Sequence, residues 1–512
     1  MGKYSGKQGI DQKPENEYHQ HRQDYMTGGL TMSMVSIQKP EKVFQYFEKI
    51  CSIPHGSRNV EKISNYLVSF AKEHGLKYRQ DEKYNVIIWK DGSTGYEQSE
   101  PLIIQGHMDM VAVKTADCEK NLETDGLDLE IDGDYLQAKG TSLGGDDGIA
   151  VAYALAILDD DSLAHPPIEA VFTVDEEIGM LGADYMDASD LKGRLFLNID
   201  SEDEGVFTVS CAGGVMAVCT IPGKKEDAEG SVIRISLKDF RGGHSGVEIN
   251  KGRYNANIVM GRLLMTVQKK ADVRLVTING GEKDNAIANF CEAKILVVKE
   301  QEQQVCDCLK ETFAIISKEC HVTDPDALME LETAETAAQV FDVESTNRVI
   351  LALVHMPNGI QRMSPEIEGL VQTSLNLGVL QTVEDHVDFS WAVRSSSGDE
   401  KQYVLDKIIS LAKLLGGSVT TQGAYPGWDY LEDSRLRKIM IEAYKEQYGE
   451  EPVVEGIHAG LECGLFASKL EGLDAVSIGP QMHHIHTTEE RLSISSTLRT
   501  WNLIVRTLEL LK

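Results

Sequence analysis

The sequence predicts an α/β protein whose largely parallel central sheet is interrupted by an inserted α+β domain. Three observations carry that reading. From about residue 40, near-continuous apolar strands alternate with helical patterns; beyond residue 214 the strands change to polar/apolar alternation; after "TTQGAYPGWDY" helix and strand patterns resume. Strands buried on both faces belong to parallel sheets covered by helices, whereas alternation marks a sheet with one exposed face. At 512 residues the chain exceeds one ordinary core, so two are expected. The divisions that follow are an extension over 1–34, a first domain over 35–213 that resumes over 425–512, and an inserted domain over 214–424.

The extension begins "MGKYSGKQGIDQKPENEYHQHRQDYMTGG", which is polar and aperiodic and is expected to be disordered. It lacks the apolar centre of a signal peptide, and Met26, Met32 and Met34 are alternative starts. Next, "KVFQYFEKICSI" and "VEKISNYLVSFAKEHG" space apolar residues as helices do, the second ending at Gly75, suited to a C-cap. Strands are expected at "NVIIWK", "PLIIQGHMDMV", "IEAVFTV" and "RLFLNID", with "DGIAVAYALAILDD" a buried helix between them. In the inserted domain "GVMAVCTIPG", "SVIRISLKDF" and "AKILVVKE" alternate as half-exposed strands, separated by helical "NANIVMGRLLMTVQKK" and "QQVCDCLKETFAIISKEC".

Composition narrows the function. With 81 acidic against 50 basic residues, the net charge of −31 would repel nucleic acid and anionic membranes, so neither is expected as a partner. No run is long enough for a membrane span. Nine cysteines without a CxxC pair suggest neither a disulfide framework nor a structural zinc site but reduced thiols in the cytoplasm, with Cys306 and Cys308 packing in a helix.

Ligand sites in parallel sheets gather at the carboxyl ends of strands, and acids collect there in this sequence. "PLIIQGHMDMV" sets His107 and Asp109 two apart, on one face if both lie in the strand. A metal-binding imidazole wants a carboxylate on its other nitrogen, a place Asp109 can fill. "GTSLGGDDGIA" opens a helix with Asp146 and Asp147, where helix capping accounts for one of the pair; it lacks the GKS/GKT ending of a phosphate loop. "IEAVFTVDEEIGM" ends in Asp175, Glu176 and Glu177, adjacent carboxylates pointing apart, so one can hold a metal while its neighbour accepts a proton from water. In "LNIDSEDEG", Asp200 is nearest the sheet, and Glu202, Asp203 and Glu204 read as solvated loop charge. Each cluster alone has a bland explanation in so acidic a chain, but four in succession at strand ends do not. A histidine among carboxylates without cysteine suits a hydrolytic site for two divalent ions, with zinc, manganese or cobalt all serviceable. "SIGPQMHHIHTTEE" offers a second histidine from His483, His484 and His486.

Taken in order, "GHMDMV", "GTSLGGDDGIA", "TVDEEIGM", "NIDSEDEG", "RGGHSG" and "HAGLECG" resemble the di-zinc exopeptidase family of carnosinases, tripeptidase T and carboxypeptidase G-like enzymes, over nearly all the chain from about residue 40. The resemblance implies a central mixed, largely parallel sheet and a lid formed by the inserted domain. It implies that Asp146 bridges two metals, completed by His107 and Asp200 at one and by Glu177 and His486 at the other. Among the three C-terminal histidines, His486 stands at the family's offset after "SIGP", although the usual His-Ser-Pro is here His486, Thr487, Thr488. Glu176 matches the general base, Asp109 the residue orienting His107, His244 the lid histidine that stabilises the oxyanion, and Arg394 the anchor of the substrate carboxylate. Asn285 matches a substrate contact, with Asp284 and Ala288 where relatives often carry Arg and Pro, and Gly460 and Glu462 match the pocket lining. The activity so implied is that of a cytoplasmic metallodipeptidase, probed best with Xaa-His substrates such as β-alanyl-histidine, forming a homodimer with two divalent ions, zinc foremost, per subunit. A di-metal N-acyl amino acid deacylase would use the same machinery; a non-catalytic peptide-binding module would have lost ligands or base, and here all are kept.

Overall fold

The computed structural model describes residues 33–512. The extension therefore lies, through residue 32, outside the described residues. The chain builds two large sheets, each with its own core.

The first is an eight-stranded mixed sheet in the order Lys77–Gln80, Val86–Lys90, Ile168–Thr173, Leu102–His107, Leu195–Asn198, Asp474–Ser477, Val206–Cys211 and Val453–Ile457. Its centre is parallel. The middle strand β1 (Leu102–His107) runs parallel to both β2 (Ile168–Thr173) and β3 (Leu195–Asn198), in a register that places His107 opposite Thr173 and Gln105 opposite Asn198. All residues of these three strands are buried, in keeping with their mostly apolar sequences. Adjacent residues serve opposite layers: Ile104 and Phe172 join the main core, while Ile103, Val171 and Phe196 join a smaller one on the other face. Because the strands are parallel, their carboxyl ends, and whatever follows them, reach the same edge.

Against β1 lies α1 (Gly145–Leu158), buried at every position and made mostly of small and aliphatic residues. Its close approach depends on Gly106: a Cβ there would come within 2.5 Å of Ala150 Cβ and 2.6 Å of Asp147 Oδ2. The span opens with non-helical backbone at Asp146 (φ −83°, ψ 104°) and Asp147 (φ −120°, ψ 31°), so the regular helix follows them, within the segment "DGIAVAYALAILDD".

Between Gly213 and Tyr425 the chain forms a nine-stranded sheet with helices Ala256–Gln268, Glu302–Cys320, Val343–His355 and Gly398–Leu414 packed in its core. Burial alternates along Gly213–Pro222 and His386–Ser395, in line with one covered face. The chain then re-enters the first sheet, through Val453–Ile457 parallel to Val206–Cys211 and through Asp474–Ser477 parallel to β3. The nine cysteines are all free, and Cys306 and Cys308 are buried in the second core. Among the described residues no helix is long and apolar enough to cross a membrane.

Substituting Gly106→Ala should force α1 off β1; overpacking of this kind costs about 1–3 kcal/mol. The expected outcome is a lower thermal midpoint together with weakened metal binding, read by a melting curve and a metal titration on the same preparation.

Candidate metal centre

His107 is the last residue of β1, so Asp109 does not share its strand face, as the sequence suggested, but follows in the loop. The loop nevertheless returns Asp109 to the imidazole: His107 Nδ1 lies 3.0 Å from the Asp109 carbonyl and 3.5 Å from its Oδ1. Asp109 is itself fixed. Ser57 Oγ donates to its Oδ2 at 2.8 Å, and the Glu176 backbone N–H donates to its Oδ1 at 3.1 Å. With Nδ1 turned to Asp109, Nε2 faces Asp146 Oδ1 at 3.1 Å and Asp200 Oδ1 at 3.7 Å.

Asp146 is delivered by the glycine turn before α1. Gly144 has φ 67°, a left-handed conformation that glycine adopts without penalty. The turn aims successive backbone N–H groups at one buried carboxylate: Leu143 and Gly144 donate to Glu490 Oε2 at 2.7 and 3.0 Å, and Gly145 and Asp146 donate to Oε1 at 2.8 and 3.3 Å. Such a nest binds an anion through backbone donors. Glu490 therefore does the work that the sequence assigned to an Asp cap, and neither aspartate caps the helix. Asp147 instead accepts the His107 backbone N–H at 3.1 Å.

Asp146 Oδ2 lies 3.0 Å from His486 Nε2, which is also 3.0 Å from Glu177 Oε1. The last contact lacks hydrogen-bond alignment, and this buried Glu177 oxygen has no hydrogen-bond partner. One aspartate thus turns one oxygen to His107, which also stands near Asp200, and the other to His486, which also stands near Glu177. Ligand atoms of His107, Asp146 and Glu177, and separately of His107, Asp147 and Asp200, lie within 4.8 Å of one another. Asp147 is spatially eligible, but its Oδ2 is committed to the His107 backbone, which makes Asp146 the better bridge. His483 and His484 do not join; His483 is the partner of Tyr135, 3.4 Å from its hydroxyl. Donors of this kind, nitrogen and carboxylate oxygen without sulfur, fit zinc, manganese or cobalt.

Electrostatics bear the mark of crowded like charge. Burial pushes the Glu176 carboxyl up, and Asp200, Glu462 and Glu177 push further against the pull of His107, to about 9. Asp200 is raised to about 6, by burial first and by Asp146 and Glu177 among its neighbours. Burial alone would depress the His107 imidazolium, but Asp109, Asp146 and Asp200 hold it well above the usual range. Asp146 and Glu177 hold His486 up, to about 10. Of the remaining acids in "LNIDSEDEG", Glu202 and Asp203 are exposed, whereas Glu204 is not free loop charge but pairs with Arg499 through both oxygens.

Further residues of the sequence reading gather near Arg394, on strand His386–Ser395 of the second sheet. His244 Nδ1 accepts the backbone N–H groups of Gly246 and Val247, both at 3.2 Å, so the ring proton sits on Nε2. Burial and nearby Arg394 lower the His244 pKa, keeping the ring neutral. Arg394 is buried, donates to the Tyr425 hydroxyl at 3.1 Å, and has an unpartnered Nε. His458, absent from the sequence reading although it opens "HAGLECG", is buried beside them with Nε2 2.7 Å from Ser374 Oγ. Gly460 packs against Tyr425, a Cβ there falling 2.8 Å from its ring. Asn285 is exposed on the loop whose next residue, Ala286, pairs with His244. Glu462 is wholly buried and accepts bonds from Gln105 and Thr173. Ser57, Tyr425 and Glu490 also escaped the sequence reading. Only Glu490 left a trace, as the second acid of "HTTEE".

The model of peptidase family M20/M25/M40 matches residues 103–510, which take in every motif above. The chain belongs to this family. It is accordingly a peptidase, a hydrolase acting on peptide bonds. Among relatives in M20/M25/M40, the cytosol non-specific dipeptidase of Escherichia coli (strain K12) is 35% identical over 483 residues, 94% of this chain and 99% of that protein. The crystal structure of aminoacylhistidine dipeptidase from Vibrio alginolyticus superposes with a TM-score of 0.89 at 37% identity, covering 93% of this chain and 98% of that one. Aminopeptidase PepT from Bacillus cereus, at 16% identity and a TM-score of 0.54 over 93% of this chain and 99% of that one, shares the fold.

Because the surrounding acids raise His107 and His486 and an imidazole must shed its proton to ligate, zinc binding near pH 7 should release protons from both, with a further one from Glu176 as the cations ionise it, and affinity should rise with pH. Calorimetry in buffers of different ionisation enthalpy counts them. Glu490→Gln turns an acceptor into a donor inside the nest and should weaken zinc binding about 10–100-fold, the range for residues that orient ligands, measured by competition with a chromophoric chelator.

Proposed function

We propose that this chain is a metal-dependent dipeptidase, active in the cytoplasm as a homodimer on dipeptides with free termini, Xaa-His dipeptides such as β-alanyl-histidine among them. The observation that carries the reading is the double-faced Asp146, each oxygen of which meets a histidine that stands near a further carboxylate. His107, Asp146 and Asp200 would hold one divalent ion and Asp146, Glu177 and His486 the other, zinc being the first choice. The dipeptidase names of the Escherichia coli and Vibrio alginolyticus relatives support the substrate class.

Two divalent ions bound there would acidify a water and polarise the scissile carbonyl. The chain supplies the rest. Glu176, adjacent to Glu177 and held at its backbone by Asp109, would take the water proton on its carboxylate and return it to the departing amine. Its raised pKa in the crowded metal-free site reflects how strongly local charge governs this group; neighbouring cations favour the ionised, basic form. His244, neutral with its proton on Nε2, can donate to the oxyanion. Arg394, buried with an unpartnered N–H and braced by Tyr425, suits the substrate carboxylate, where a planar guanidinium can bind both oxygens. The loop bearing His244 packs on His458 of the same chain, a Cβ at Gly246 coming within 2.5 Å of its carbonyl. The homodimer is therefore proposed from family resemblance rather than from a shared site.

The test is a panel of free dipeptides, including β-alanyl-histidine, and N-acetyl amino acids, assayed with zinc, manganese or cobalt, with sedimentation of the same preparation to read its oligomeric state. Free dipeptides should be cleaved, and Glu176→Ala should lower kcat by about 10²–10⁴-fold while keeping bound metal. Turnover of acetylated substrates alone would instead indicate a deacylase, and no turnover with metal bound a binding module.

A further inference from the structure

One layer below the metal centre, polar side chains stand where the strands would otherwise be apolar. Gln105 of β1, Thr173 of β2 and Asn198 of β3 are all fully buried. Gln105 and Asn198 each precede a proposed ligand, His107 and Asp200, by two residues, and Thr173 precedes the proposed base, Glu176, by three. Buried polar groups are stable only when their hydrogen bonds are made, so these three need an organising partner.

Glu462 is that partner. It is the first residue of α2 (Glu462–Lys469) and is 0% exposed. Its Oε2 accepts from Gln105 Nε2 at 2.5 Å and from Thr173 Oγ1 at 2.6 Å. Gln105 Oε1 in turn accepts from Asn198 Nδ2 at 2.6 Å. A single carboxylate thus closes a triangle with Gln105 and Thr173, which also bond each other at 3.2 Å, and through Gln105 the network reaches β3. Backbone pairing alone leaves side chains free to shift at strand ends; this chain of bonds spans all three strands just where they stop. Glu462 Oε1 has no hydrogen-bond partner, so only one of its two oxygens is needed for the link.

We propose that Glu462 is a positioning residue that sets the ends of β1, β2 and β3, and with them His107, Glu176 and Asp200, in the geometry the metal centre requires. The proposal rests on the assignment of those three residues made above. It concerns hydrogen-bond geometry, not charge. In Glu462→Gln the amide oxygen can occupy the Oε2 position and accept both bonds, leaving the NH₂ on the side that lacks a partner. In Glu462→Ala the Thr173 hydroxyl loses its acceptor and Gln105 Nε2 keeps only its longer bond to Thr173 Oγ1, at 3.2 Å.

The experiment compares wild type, Glu462→Gln, Glu462→Ala, Thr173→Val and Glu462→Ala/Thr173→Val. Zinc affinity of the metal-free protein is read by chelator competition, kcat and KM on a cleaved dipeptide by steady-state kinetics, and folding by thermal midpoint. Glu462→Gln should stay within about threefold of wild type in zinc affinity and kcat. Glu462→Ala should lose about 10–100-fold in both, with KM changed much less, as expected when ligand-orienting groups are removed. Thr173→Val, close to isosteric, should weaken zinc binding by itself, and in the double variant should add less than its separate effect. Wild-type zinc affinity in a folded Glu462→Ala overturns the proposal, as does a Glu462→Gln as impaired as the alanine variant, which would mean that charge is what matters. Should Glu462→Ala fail to fold, unchanged zinc affinity in Thr173→Val overturns it equally. Zinc affinity is measured without peptide, so a wrong substrate class leaves this test intact.

Discussion

Like charges held together at the ends of three parallel strands are the constraint on which the rest of this structure depends. Two unit charges about 4 Å apart repel by roughly 4 kcal/mol at an effective dielectric near 20. Asp146, Glu177 and Asp200 gather around two histidines with Glu176 adjoining, so several such repulsions are comparable with the roughly 5–15 kcal/mol by which whole domains are stable. Without cations the site relieves part of this by protonation, visible in the raised values of Glu176 and Asp200 and in the imidazolium character of His107 and His486. With cations the same crowding becomes ligation.

Holding acids in place against that repulsion requires rigid supports, and the surroundings provide them. The main chain of Glu176 is tied to Asp109, the loop of Asp146 to Glu490, and the backbone of His107 to Asp147. Each tie is itself a carboxylate accepting N–H groups. Negative charge not facing the metals is thus satisfied by backbone donors, which are fixed in direction and cannot swing away. The centre is built from two populations of acids, one to bind cations and one to hold the scaffold.

Much of this was legible in the sequence, and the reasons differ by element. The strands "PLIIQGH", "IEAVFT" and "RLFLN" carry apolar residues on both faces, which points to burial on both, and strand direction then places the acids that follow along one edge. His486 was separable from His483 and His484 only through resemblance, because three histidines in four positions have no distinguishing local pattern; the fold separates them by turning His483 toward Tyr135. Glu490, and the burial of Glu462, were hidden for a different reason. Their partners, at 143–146 and at 105 and 173, lie hundreds of residues away, and nothing near either glutamate signals burial. Asp109 was given the right neighbour by the wrong route, since the strand ends at His107, too early for shared-face alternation to apply.

The Glu490 nest also bears on the order in which the molecule can be made. Its four N–H donors belong to residues 143–146, whereas the acceptor and the neighbouring His486 belong to the last part of the chain. During synthesis from the amino terminus, β1, β2 and β3 are complete long before that segment exists. The turn bearing Asp146 therefore waits, unclamped, while more than half of the protein is added. The proposed centre is complete only once the chain has grown past Glu490, and with it the donors at His486 arrive in that late segment.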